Sequence, residues 1–116
     1  MGYREALESA GAEVLLYEEF GSYQGDWLAK VRYEGQIGWV HDYFGSCSGC
    51  DAFEAEFGWE DPSEEDLADF GKRYLSYMYT QDEIEARASE NLDWDLTAEI
   101  MVNFVKENSI HKDVIN

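Results

Sequence analysis

Apolar and polar residues alternate cleanly over residues 27–33, with Trp27, Ala29, Val31 and Tyr33 on one side of an extended chain and Leu28, Lys30 and Arg32 on the other. Successive side chains of a strand point to opposite faces, so this period of two predicts a half-buried strand. Residues 36–43 repeat the pattern with Ile37, Trp39, His41 and Tyr43, and Glu34-Gly35 between the two runs is short enough for a tight hairpin. Upstream, residues 12–20 gather Val14, Leu15, Leu16 and Tyr17 into a short apolar run suited to a buried strand rather than a helix. The glycines and polar residues of GSYQGD, residues 21–26, read as the turn or loop between them. Together the three runs predict an antiparallel meander.

The remaining periodicity is helical. Residues 3–10 read as a short helix closed by Gly11, because glycine readily takes the left-handed conformation that ends helices. Asp51 is placed to cap a short helix through Phe57, and Asp61-Pro62 to start a longer one reaching about Met78. In that longer helix Leu67, Phe70, Gly71, Tyr74 and Met78 share one side, and Glu65, Asp66 and Asp69 turn away. Thr80-Gln81-Asp82-Glu83 has the spacing of a capping box for a helix ending near Asn91. A last helix runs from about Asp95 to Asn108. Leu96, Ile100, Met101, Val102, Phe104 and Val105 leave it apolar on most sides, as expected at the centre of a core or at a homodimer interface. Trp27, Trp39, Leu67, Phe70, Ile100 and Phe104 are the expected core. The fold class is therefore α+β, a three-stranded antiparallel meander with four to five helices, mostly C-terminal. No internal repeat, low-complexity tract or linker interrupts residues 1–116, which read as a single domain.

Length and composition fit that picture: 116 residues, 45% hydrophobic and 16% aromatic, are enough for one core and far too apolar for disorder. Charge changes it. The chain carries 26 acidic and 8 basic residues, a formal net charge of −18. Residues 51–100 hold 16 of the acids and 3 of the bases, a net −13 for that stretch. Such a chain repels phosphate backbones, which excludes direct nucleic-acid binding as an expectation and favours a basic partner. No run approaches the length of about 18 apolar residues that spans a bilayer, and the first residues lack a basic start followed by an apolar stretch. Gly2 follows Met1, but Ala6 stands where a myristoylation signal has Ser or Thr. A cytoplasmic protein without membrane contact is expected.

Cys47-Ser48-Gly49-Cys50 is the conventional motif of the chain. Two turn-related thiolates can hold half a zinc site, with His41 the nearest third ligand and Asp42, Asp51 or His111 a fourth. The same motif between a strand and a helix is the local setting of thioredoxin-like redox sites. Against that, the preceding strands form a meander, the one proline is Pro62, and the charge of Asp51 opposes thiolate formation. The plain alternative is a pair of reduced cysteines in a tight loop, with no cofactor. No nucleophile elbow, zinc-protease helix or phosphate-binding loop is present, and no catalytic residue is assigned. Carboxylate pairs are too abundant to nominate a glycosidase-like acid and base.

The acids themselves are the stronger signal. Residues 51–71 contain nine acids and no base before Lys72, whereas ordinary soluble surfaces intersperse both signs. Spaced carboxylates on a helical scaffold can imitate the charge row of a duplex, about one charge per 1.7 Å. The candidate partner-binding residues are Glu60, Asp61, Glu64, Glu65, Asp66 and Asp69, with Tyr77 and Tyr79 as adjacent aromatic anchors. Residues 21–58, with GSYQGDW and GSCSGCDAF, resemble small uncharacterised bacteriophage proteins. Size and charge are similar to phage anti-restriction and anti-CRISPR proteins of the DNA-mimic kind. That resemblance implies an inhibitor of host defence, or an adaptor, that binds a basic, nucleic-acid-binding surface of a host protein. A zinc-binding structural module is the alternative, and a small redox or other enzyme the third.

Overall fold

The structure is a computed structural model that describes residues 2–21, 23–45, 51–58, 60–90 and 96–114. The chain divides into two compact units, Met1–Met78 and Tyr79–Asn116. The first contains α1 (Tyr3–Ser9), β1 (Glu13–Gly21), β2 (Gly25–Tyr33), β3 (Gln36–Phe44), α2 (Ala52–Phe57) and α3 (Glu64–Leu75). The second contains α4 (Gln81–Glu90), α5 (Leu96–Glu107) and α6 (His111–Val114). The strands form one antiparallel sheet in the order β1-β2-β3, so the fold is α+β with most helices after the sheet.

Register follows from the turns. Glu34 and Gly35 have φ of 51° and 79°, the paired positive values that let a two-residue hairpin follow the right-handed twist of its strands. They set Ala29 opposite Val40 and Trp27 opposite Asp42, while on the other side Tyr17 faces Ala29. At the first hairpin the strands run further than the glycine-rich segment suggests, because Gly21 pairs with Gly25. A Cβ on Gly25 would lie 1.8 Å from the Phe20 carbonyl oxygen, so here glycine permits close backbone approach.

Trp27, Ala29, Val31, Val40 and Phe44 form the apolar sheet face that packs with Tyr3, Leu7, Phe70 and Leu75. Tyr3 stacks on Trp27 with ring centroids 4.7 Å apart, and Tyr74 meets the indole edge-on at 5.1 Å. The helices α1 and α3 cross closely: a Cβ on Gly71 would fall 2.0 Å from the Ala6 carbonyl oxygen.

Two strand expectations are corrected. β2 is buried on both faces, since Leu28 and Lys30 are enclosed along with Trp27 and Ala29; a lysine stem is apolar enough for this while its head seeks a polar partner. The apolar run of β1 is only half-buried, and this edge strand carries a bulge. The pairing steps from Val14↔Val31 to Leu16↔Lys30, which leaves Leu15 as the extra residue.

The helix expected to start at Asp61-Pro62 begins later. Ser63 is its N-cap, accepting a hydrogen bond from Asp66 N at 3.1 Å, and the helix ends at Leu75 rather than Met78. Leu67, Tyr74 and Met78 pack half-buried against the core around the enclosed Phe70. In the second unit the capping box is complete, with Thr80 Oγ1 accepting from Glu83 N at 3.2 Å and Glu83 Oε1 accepting from Thr80 N at 2.9 Å. α4 packs on α5, and Ile84, Ala88, Met101 and Val105 are buried. Met101 and Val105, one turn apart, define the buried stripe of α5, so Ile100 is 55% exposed and Phe104 only half-buried, contrary to the expected core. Buried Gln81 ties the unit together: its Nε2 donates to Val105 O at 2.8 Å and its Oε1 accepts from Ile110 N at 3.1 Å. No helix among the described residues is long and apolar enough to cross a membrane.

Candidate functional site

The short α2 and the start of α3 border an open groove of about 380 Å³. Its lining brings together the carboxyl-bearing residues Glu56, Glu60, Asp61, Asp66 and Asp69, with Phe57 and Arg73 among them. The local sequence explains the clustering. Ser63 starts α3 directly after Glu60 and Asp61, and Asp66, Asp69 and Arg73 then recur every three or four residues, which puts them on one face. The opposite face of the helix carries Phe70, Gly71 and Leu75 into the core.

Of the residues expected from sequence, the groove assembles Glu60, Asp61, Asp66 and Asp69. Glu64 and Glu65 are exposed in the first turn of α3 but do not line it. Tyr77 lies past the C-terminal end of α3 and is 61% exposed. Tyr79 belongs to the second unit, where the Arg87 guanidinium sits 5.1 Å over its ring. Sequence reasoning missed Glu56 and Arg73. Arg73 Nη2 lies 2.5 Å from Glu56 Oε1 and its guanidinium 5.4 Å over the Phe70 ring. The signal was available in principle, since Arg73 follows Asp66 and Asp69 at helical spacing. Both partners of the ion pair are substantially exposed, so it contributes at most about 1 kcal/mol. Its consequence is electrostatic: one cation is held against one of five acids, and the groove remains strongly negative.

A second set of carboxylates is used quite differently. Asp51 is buried and caps α2, accepting from Phe53 N at 3.0 Å and Glu54 N at 3.2 Å, while its other oxygen accepts from Gly45 N at 3.2 Å. The Tyr3 hydroxyl also donates to Asp51. Asp42 accepts from the Tyr74 hydroxyl at 2.6 Å, and Glu19 from the Tyr17 hydroxyl at 2.9 Å. Desolvation, reinforced by those hydrogen bonds to carboxylates, pushes the Tyr3, Tyr17 and Tyr74 hydroxyls well above the ordinary tyrosine range. They are permanent donors near neutral pH, which suits structural cross-links and not proton transfer.

His41 is enclosed, with Nε2 2.7 Å from Asp26 Oδ1 and its ring 5.1 Å from that of Tyr43. Cys47 and Cys50, its proposed zinc co-ligands, lie outside the described residues. Among the described residues no group of three or more His, Cys, Asp or Glu side chains is arranged to hold a metal ion. Of the further ligands considered, Asp51 and Asp42 already accept the hydrogen bonds above, and His111 starts α6 of the second unit. No family model, curated protein or solved structure matches the chain.

Proposed function

We propose that the protein is a binding protein of the DNA-mimic kind, an inhibitor of host defence or an adaptor that occupies the basic, nucleic-acid-binding surface of a host protein in the cytoplasm. The observation that carries this reading is the acidic groove: Glu60, Asp61, Asp66 and Asp69 converge on one open surface, with Glu64 and Glu65 extending the charge along α3. Exposed carboxylates without protein donors are hydrated, and a basic groove can displace that water and its own counterions on contact. The net charge of −18 supplies long-range attraction that raises the association rate with such a surface.

Competition for a nucleic-acid site tests the proposal. Purified restriction and CRISPR nucleases are loaded with fluorescent duplex or guide, and the protein is titrated against them at two salt concentrations. Displacement that weakens with salt, and weakens further for the quadruple variant Glu60→Gln, Asp61→Asn, Asp66→Asn, Asp69→Asn, is the expected result. Displacement indifferent to salt and to those four substitutions would remove the groove from the interface.

A further inference from the structure

We infer that the start of α1 positions the α2 wall of the acidic groove, so that Gly2 and Tyr3, which do not line the groove, set how tightly it holds a basic partner. The inference rests on the proposed function and adds to it the residues that shape the site. α2 has six residues, none of them buried, and a helix that short has little stability of its own. Its place is decided by what it touches, and α1 supplies two of those contacts. The Tyr3 hydroxyl accepts from Phe53 N at 3.1 Å and donates to Asp51, the N-cap of α2. The Tyr3 ring also meets the Phe53 ring edge-on, with centroids 5.7 Å apart.

Gly2 acts through close approach. Its φ of 62° is left-handed, and a Cβ there would lie 2.3 Å from Cζ of Phe53, so a larger residue would have to push the ring away. The Phe53 ring already meets those of Phe57 at 4.9 Å and Phe70 at 5.5 Å, and a push from residue 2 is therefore passed on to the helix. Glu56 and Phe57 follow Phe53 by three and four residues, which places them on the same side of α2, and both line the groove. Glu56 in turn holds the Arg73 guanidinium at 2.5 Å. A shift of about 1 Å in α2 takes that contact outside the usual hydrogen-bond range. The freed guanidinium then opposes a basic partner while Glu56 leaves the wall, and affinity falls.

The test reads the groove of the full chain in two ways. NMR follows the Arg73 side-chain shifts, which the Glu56 pair and the Phe70 ring hold away from free-arginine values, and fluorescence anisotropy follows binding of a labelled hexa-arginine peptide. Tyr3→Phe should move the Arg73 shifts toward those of Glu56→Gln, the variant that breaks the pair directly. It should also weaken peptide binding about fivefold, within the range for substitutions that act through a packed network. Gly2→Ala should do the same in the parent chain, and nothing further once Phe53→Leu has removed the ring it strikes. Val31→Ala truncates the core on β2 and should lower stability, yet leave the Arg73 shifts and the binding as they are. Unmoved Arg73 shifts in both Tyr3→Phe and Gly2→Ala would overturn the inference and reduce the two residues to packing. Equal movement in Val31→Ala would overturn it too, as a general loosening of the unit. If the parent chain does not bind hexa-arginine, the proposed function loses its support, while the Arg73 shifts still decide whether α1 positions α2.

Discussion

Two sets of carboxylates in the first unit differ in everything except their chemistry. Asp51 and Asp42 accept hydrogen bonds from backbone amides and from tyrosine hydroxyls, and their positions are fixed by what donates to them. Glu60, Asp61, Asp66 and Asp69 line an open groove in which Arg73 is the basic residue, and its guanidinium is held against Glu56. A buried carboxylate is tolerable only when donors replace its water, whereas an exposed one keeps its water and remains available to a partner. Composition alone merges the two sets into a single count; only the fold separates acids that hold the chain together from acids that face outward.

Removing a carboxylate from each set gives the largest expected contrast. Asp51→Ala deletes the α2 cap, the tether to Gly45 and the acceptor of the Tyr3 hydroxyl, and should cost about 2–4 kcal/mol in denaturant unfolding. Asp69→Ala on the outer face of α3 should change stability by less than about 0.5 kcal/mol. Comparable losses in the two variants would erase the distinction.

Asp51 also shows what could be read in advance. Its capping role, the capping box at Thr80 and Glu83 and the hairpin at Glu34-Gly35 depend on neighbours within a few residues, and all three appear as expected. The misplaced features depend on distant packing. Leu28 and Lys30 occupy polar-side positions of an alternating strand yet are buried. The Val14–Tyr17 run is apolar yet belongs to an edge, with a bulge that no local pattern announces. At the groove, helical spacing identified Asp66 and Asp69, but Glu56 lies on α2 and joins them beside Arg73, a contact between residues 17 apart that no local spacing announces.

Alkaline titration sharpens the comparison from the donor side. The Tyr3, Tyr17 and Tyr74 hydroxyls are raised above their unfolded value by burial and by the carboxylates that accept from them. The folded chain therefore holds these protons where the unfolded chain releases them, so their contribution is complete below about pH 10 and is lost progressively above it. Unfolding free energy should fall steeply from pH 10 upward, and Tyr74→Phe should make the fall shallower, although it costs about 1 kcal/mol at neutral pH by taking a donor from Asp42. An unchanged alkaline slope in Tyr74→Phe would show that this hydroxyl titrates as freely in the folded chain as in the unfolded one.

Within the groove, Arg73→Gln removes the guanidinium from both Glu56 and the Phe70 ring and should lower stability by no more than about 1 kcal/mol. Affinity for a basic partner should rise at the same time, because the groove loses its cation and keeps its acids. A fall in affinity would mean that Arg73 itself contacts the partner.

A small net stability effect is expected even where the charge is densest. Neutralising Glu64, Glu65, Asp66 and Asp69 to Gln or Asn relieves mutual repulsion, but Glu64, Glu65 and Asp66 occupy the first turn of α3, where each is favoured by about 0.3–1 kcal/mol through the helix dipole. Asp69 lies beyond that turn and contributes repulsion only. The two effects oppose each other, and the quadruple variant should unfold within about 1 kcal/mol of the parent. Its affinity for a basic partner should nevertheless drop, and lose most of its salt dependence. A control set, Glu5, Glu8 and Glu107 to Gln, removes similar charge from outside the dense acidic stretch, including Glu8, which lies 3.7 Å from Arg4 on α1. If the control weakens binding as much as the α3 set, the partner senses only the net field. A loss confined to the α3 set would localise contact to that helix, where a near-constant stability ensures that the binding change is not a folding change.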